Sequence, residues 1–82
     1  MPKLEKMDIK VVRTERISAG MERWLVSLPK ENFRDFGFML EALEGVGLHS
    51  RSSEGENLME VEVAIGRKDE LTALLQDLQD FG

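Results

Sequence analysis

The hydrophobic and polar positions in the first third of the chain alternate with a period of two. Residues 7–17 are rich in β-branched side chains with charges interleaved, a composition typical of an edge strand. After the turn signal Ser18-Ala19-Gly20 the alternation resumes over residues 21–28, which predicts a hairpin. The side chains of this second strand divide between two faces. They are Trp24, Val26 and Leu28 on the core face, and Arg23, Leu25 and Ser27 on the opposite, open face.

The pattern changes to a helical period over residues 33–44, which end on Gly45. The positions of its core-facing sector are Phe33, Phe36, Gly37, Leu40, Leu43 and Glu44. Gly37 lies inside this sector, which predicts that the helix backbone approaches a sheet closely, with approach to a ligand as the alternative. We expect the Asn32 side chain to cap the start of the helix and Gly45 to end it in a left-handed conformation.

Two more alternating segments and a second helical segment follow. Residues 46–51 present a thin apolar face and predict the other edge strand, and residues 52–57 have the composition of a turn. Residues 58–65 carry the clearest alternation in the chain and end before Gly66. Met59, Val61, Val63 and Ile65 are predicted to point inward, and Glu60 and Glu62 outward. Residues 67–81 predict a helix with the apolar stripe Leu71, Leu74, Leu75, Leu78 and Phe81.

The predicted order, ββαββα, defines an α+β fold with a flexible start over residues 1–6 and a single domain over residues 7–82. Strand 2, helix 1 and strand 3 form a right-handed parallel crossover, and both helices pack on one face of the sheet. This is the layout of a ferredoxin-like split β-α-β sandwich in which strand 1 replaces the strand that usually follows the second helix. We therefore expect a circularly permuted version with a four-stranded antiparallel sheet in the order 1-2-4-3.

One segment carries a resemblance to a known family: Phe36-Gly37-Phe38-Met39-Leu40-Glu41-Ala42-Leu43-Glu44-Gly45-Val46-Gly47-Leu48-His49-Ser50. Set between two strands and followed by a leucine-rich helix, it resembles a family of short bacterial proteins classed as a domain of unknown function. The resemblance covers residues 21–80, and the helix ending at residues 40–45 is its most recognisable part. That family has no assigned catalytic residues, so the resemblance implies none here. The layout is also similar to that of ACT-like regulatory domains, without their effector loop.

Composition narrows the class of protein. A content of 41% hydrophobic and 33% charged residues is globular, and the absence of cysteine excludes disulfides and thiolate metal sites. No apolar run reaches the roughly 18 residues of a membrane span, and residues 1–6 lack the apolar core of a secretory signal. We therefore expect a cytoplasmic protein with no membrane partner.

The net charge of −5 is unevenly distributed. Residues 1–40 contain eight Lys and Arg against six Asp and Glu, whereas residues 41–82 contain three against ten. Affinity for a phosphate backbone comes from basic clusters, so the acidic half argues against nucleic-acid binding. The basic N-terminal strand keeps a nucleic-acid or nucleotide binder as an alternative.

Candidate chemistry is sparse. No signature places a serine or cysteine nucleophile beside His49, the only histidine. A continuous apolar face between strands 3 and 4 predicts the pairs Val46–Ile65, Leu48–Val63, His49–Glu62 and Arg51–Glu60, the last two on the open face. One histidine and two carboxylates fall short of the three or four ligands of a transition-metal site. We therefore predict neither a metal nor a cofactor, and interpret these charged pairs as structural.

Three functions remain open. The first is a non-catalytic regulatory or protein-interaction module that forms a homodimer through the open sheet face or the strand 1 edge. The second is the nucleic-acid or nucleotide binder, and the third is a hydrolase with an unrecognised site. The residues of the predicted interaction surface are Arg23, Leu25, His49, Arg51, Glu60 and Glu62.

Overall fold

A computed structural model describes residues 8–80 of the chain. The expected flexible start at residues 1–6, together with Met7 and Phe81, lies outside the described residues. The main elements are β1 (Lys10–Ser18), β2 (Met21–Ser27), α1 (Phe33–Glu41), β3 (Val46–Arg51), β4 (Leu58–Ala64) and α2 (Lys68–Asp80). A short 3-10 turn precedes each helix, over Lys30–Asn32 and Ile65–Arg67. The predicted order ββαββα is confirmed.

The four strands form one antiparallel sheet in the order β1-β2-β4-β3. β2 and β3 are each antiparallel to β4 and are therefore parallel to each other, so α1 is the crossover between them. The permuted strand order predicted from the sequence is confirmed. β1 and β3 are the two edges of the sheet.

One hydrophobic core joins both helices to the same face of the sheet, which we call the helix face. Its buried members are Ile9, Trp24, Val26, Leu28, Phe33, Phe36, Leu40, Met59, Val61, Val63, Leu71, Leu75 and Leu78. α1 packs on β3, and α2 packs on β4. Trp24 is only 7% exposed, and its Nε1 donates a hydrogen bond to Glu22 at 3.0 Å, so the buried indole N–H is satisfied. The predicted core face of β2 is correct, and so is that of α2 over its described members, Leu71, Leu74, Leu75 and Leu78.

A long-range hydrogen bond fastens the start of β1 to α2. The side-chain Nε2 of Gln79 donates to the backbone oxygen of Ile9 at 2.7 Å, and Ile9 itself is 3% exposed. Beyond this anchor all nine residues of β1 are exposed. β1 is thus bonded to α2 just before its first residue and to β2 along its length.

α1 begins at Phe33 as predicted, but its N-terminal capping and its C-terminal end differ from the prediction. The helix ends at Glu41, earlier than expected, and Glu44 is exposed rather than core-facing. Gly45 has the predicted left-handed conformation, with φ of +86°. Asn32 makes no side-chain capping bond, so that prediction is wrong. The 3-10 turn explains this, because Asn32 belongs to that turn and has helical backbone angles (φ −97°, ψ −2°), whereas a capping residue usually has non-helical ones.

The predicted register of β3 against β4 is also wrong. The observed pairs are Val46–Val63, His49–Val61, Ser50–Glu60 and Arg51–Met59. Between the first two pairs β3 advances by three residues and β4 by two, so one extra residue forms a bulge beside Gly47. An extra residue turns every later side chain to the opposite face. His49 and Arg51 therefore lie on the helix face, and Leu48 is 66% exposed.

Candidate interaction surface

The structure divides the predicted interaction surface between the two faces of the sheet. On the open face lie Arg23, Leu25, Glu60 and Glu62, and on the helix face His49 and Arg51. The first four are brought together by the regular pairing of β2 with β4. The other two are separated from them by the bulge in β3.

Arg23 lies at the centre of the open face. Its guanidinium contacts Glu15 at 3.5 Å, Glu60 at 3.4 Å and Glu62 at 3.5 Å. All four side chains are partly exposed, and ion pairs at such sites contribute at most about 1 kcal/mol each. The contacts nevertheless link β1, β2 and β4 through one side chain.

Leu25 lies beneath this charged layer. It belongs to the open face and not to the core, yet it is only 5% exposed. The side chains around it line a shallow depression of about 220 Å³: Arg13, Glu15, Arg23, Glu54 and Glu60. The aliphatic stems of long charged side chains can cover apolar surface in this way. Because Leu25 is already shielded, the open face offers a partner charged groups rather than apolar area.

A second ion pair connects β1 to the β3–β4 connection at residues 52–57. The Arg13 Nη2 donates to the Glu54 Oε2 at 2.7 Å, and the Ser52 hydroxyl accepts from the Glu54 backbone N–H at 3.1 Å. The hydrogen bond from Arg13 lowers the pKa of the Glu54 carboxyl below its ordinary value, and Glu54 raises the pKa of Arg13. Sequence analysis missed this pair because the two residues are 41 positions apart.

The same ion pair bears on nucleic-acid binding. Arg13 is one of three basic residues of β1, with Lys10 and Arg16. A guanidinium that is paired with a carboxylate contributes little to the release of counterions from a phosphate backbone. The folded β1 therefore offers a nucleic acid less unpaired positive charge than its sequence indicates.

His49 contacts α1. A Cβ atom added at Gly37 would lie 3.2 Å from the His49 Cε1, which is tighter than ordinary van der Waals contact. The predicted role of Gly37, close approach of the helix to the sheet, is confirmed. The His49 Nε2 also lies 3.8 Å from the Glu41 carboxylate of α1. These contacts pack the imidazole between α1 and β3.

Arg51 lies at the end of the sheet near the start of α1. Its guanidinium carbon is 5.7 Å from the centroid of the Phe33 ring, a cation–π geometry worth roughly 0.5–1 kcal/mol at an exposed site. It also borders an open depression of about 390 Å³ whose other lining residues are Lys30, Ser52, Ser53, Gly55 and Glu56. The acidic Glu56 offsets part of the positive charge there.

The β1 edge is the most open part of the described chain. Of the described elements, only β2 makes extensive contact with β1. Three apolar side chains of the strand are exposed: Val11 at 38%, Val12 at 52% and Ile17 at 37%. The pairing of β1 with β2 is irregular at Val12 and Ile17 and regular between them, over residues 13–16. The predicted surface omitted this edge, although the strand 1 edge was one of the two expected routes to a dimer.

Comparison with known proteins identifies no similar protein. No family model, no curated protein and no solved structure matches the chain. The resemblance to a bacterial family of unknown function therefore stays a prediction. Within residues 8–80 no three histidine or acidic side chains are grouped to hold a metal ion, and neither helix is long and apolar enough to cross a membrane.

Proposed function

We propose that the protein is a non-catalytic interaction module that joins another polypeptide by strand addition along the β1 edge. The observation that carries the proposal is the exposure of all nine β1 residues on a strand that, among the described elements, packs extensively against β2 only. An edge strand presents a row of unpaired backbone N–H and C=O groups, and an extended segment can pair with them. A cytoplasmic location, supported by the cysteine-free composition, is part of the proposal.

The open sheet face supports the proposal less well than the edge. A binding surface gains most from apolar groups that lose water on contact. Leu25, the apolar residue at the centre of that face, is already 5% exposed under its charged neighbours. Val12 of β1 is 52% exposed and has that apolar area still to bury.

The other edge strand is a weaker candidate. β3 has six residues against nine in β1. Both strands contain irregularities, but the longest regularly paired stretch is three residues in β3 and four in β1. Bulged and short edges are devices that oppose strand addition. Leu48 is the exposed apolar residue of this edge and supplies a matched control for Val12.

The test uses a synthetic peptide with the sequence of residues 10–18 as the strand donor. At a protein concentration at which the chain is monomeric, we expect the peptide to slow the amide hydrogen exchange of β1 in the labelled protein and to leave β3 unchanged, because only β1 gains new hydrogen bonds. Val12→Lys should abolish the effect by placing a charge on the edge, whereas Leu48→Lys should preserve it. Protection of β3 in place of β1, or equal sensitivity to both substitutions, would contradict the proposal.

A further inference from the structure

The regular stretch of β1 between its two irregularities holds only four residues, Arg13, Thr14, Glu15 and Arg16. Three of them are charged, and Thr14 is the exception. Arg13 and Glu15 lie opposite Leu25 and Arg23 of β2, so both are on the open face. Thr14 and Arg16 lie opposite Trp24 and Glu22 and are on the helix face. This short pattern determines how the strand can pair with a copy of itself.

Directly opposed residues of an antiparallel pair share one face of the sheet. When two copies of this regular stretch pair about a two-fold axis, one of its four residues must therefore stand opposite its own copy. If that residue were Arg13, Glu15 or Arg16, two like charges would be directly opposed, which is destabilising. An axis at Thr14 opposes threonine to threonine, a favourable cross-strand pair.

The axis at Thr14 has a second consequence. It sets Arg13 of each copy opposite Glu15 of the other, so two pairs of opposite charge flank the axis on the open face. Arg13 already donates to Glu54 through Nη1 and Nη2, at 3.4 and 2.7 Å, but a guanidinium has five N–H donors. The side chains of Arg13 and Glu15 are 50% and 48% exposed, so both remain accessible to a partner.

We infer that the occupant of the β1 edge is a second copy of this chain, paired antiparallel about a two-fold axis at Thr14. This inference rests on the proposed function and specifies its partner. The two four-stranded sheets then form one continuous eight-stranded sheet, and the two β1 strands lie side by side at its centre. The Arg13–Glu54 and Arg23–Glu15 pairs of both copies then join into one charged network across the axis.

The absence of cysteine from the 82 residues makes single-cysteine variants unambiguous. In this register Thr14→Cys places two thiols on residues whose Cα atoms are about 4.5–5.5 Å apart, within the range of a disulfide. Arg13→Cys or Glu15→Cys alone leaves the two cysteines about 8 Å apart, because each is displaced by two residues along the strand. That separation exceeds the disulfide range.

The experiment measures the rate of disulfide-linked dimer formation in a glutathione buffer, with sedimentation equilibrium of the unchanged protein beside it. We expect Thr14→Cys to cross-link roughly tenfold faster than either single variant at the flanking positions. A mixture of Arg13→Cys and isotope-labelled Glu15→Cys should form the mixed dimer, identified by its mass, faster than either forms its own dimer. Each mixed dimer keeps one native Arg13–Glu15 pair, which makes it the matched control for the loss of charge.

Two results would overturn the inference. The first is a protein that remains a monomer at all concentrations, and the second is a dimer in which Glu15→Cys or Arg13→Cys cross-links alone as fast as Thr14→Cys. In either case the peptide experiment decides the proposed function independently. Protection of β1 by the peptide would preserve strand addition at this edge even though the symmetric partner had failed.

Discussion

The two edge strands of the sheet, β1 and β3, end it in different ways. β3 is short, bulged beside Gly47 and packed under α1 through the contact of His49 with Gly37. β1 is long, exposed at all nine residues and lined with charges and exposed valines. Both edges contain irregular backbone, and the second edge is protected by its charges as well. A charged edge remains compatible with a partner whose charges are complementary, and in β1 the regular stretch between the two irregularities is where such a partner can pair.

The largest expected effect is on the free energy of unfolding, when a substitution in the buried core is compared with one on the exposed β1. Leu40 of α1 is fully buried, so Leu40→Ala should reduce the free energy of unfolding by roughly 2–4 kcal/mol through lost burial and a cavity. Val12→Ala on the exposed β1 should change it by less than about 0.5 kcal/mol. Urea titration followed by tryptophan fluorescence measures both. Equal losses at the two positions would mean that β1 is packed as well as the core.

The second test concerns the contact that holds β3 under α1. Gly37→Val should lower the free energy of unfolding by about 1–3 kcal/mol, because its side chain enters space occupied by the His49 ring. His49→Ala in the same chain should recover part of the loss, with a coupling of about 0.5–3 kcal/mol in the double-mutant cycle. The control pair is Gly37→Val with Leu48→Ala, since Leu48 is exposed. Additivity of Gly37→Val and His49→Ala would rule out the contact.

The smallest effect is expected at the ion pair between β1 and the β3–β4 connection. Arg13→Gln should raise the pKa of Glu54 toward its ordinary value of 4.5, because the hydrogen bond that lowers it is lost. A lowered carboxyl pKa contributes stability that is present above the ordinary value and is lost as the pH falls through the lowered value. NMR titration of the Glu54 carboxyl measures the change in pKa. Acid unfolding of the unchanged protein and of Arg13→Gln measures the change in stability. An unchanged Glu54 pKa in Arg13→Gln would contradict the assignment.

The strong alternation of β2 and β4 is the reason that the sheet order and core could be predicted. Trp24, Val26 and Val61 all belong to the buried face of the sheet. The two strands with the most charged residues could therefore be placed at its edges. β3 has too few apolar residues to fix its register. Gly47 is the local signal that was missed, since an isolated glycine in a strand often marks a bulge.

The charged layer over Leu25 could not be predicted from period alone. Alternation correctly assigns Leu25 to the open face, but its burial depends on long side chains that arrive from other elements. Glu54 comes from a connection whose sequence predicts only a turn. Contacts of this kind depend on the path of the loop, and a helical or strand period contains no information about that path.

The hydrogen bond from Gln79 to Ile9 joins residues 70 positions apart and bears on how the chain folds during synthesis. The β1–β2 hairpin leaves the ribosome before the other elements of the sheet, and an isolated hairpin is at best marginally stable in water. Its apolar face, including Trp24, is incompletely covered until α2 is translated, about 3–11 s after Trp24 at the usual elongation rates. Nascent chains stalled before α2 should therefore bind chaperones that recognise exposed apolar strands, and those stalled well beyond it should release them.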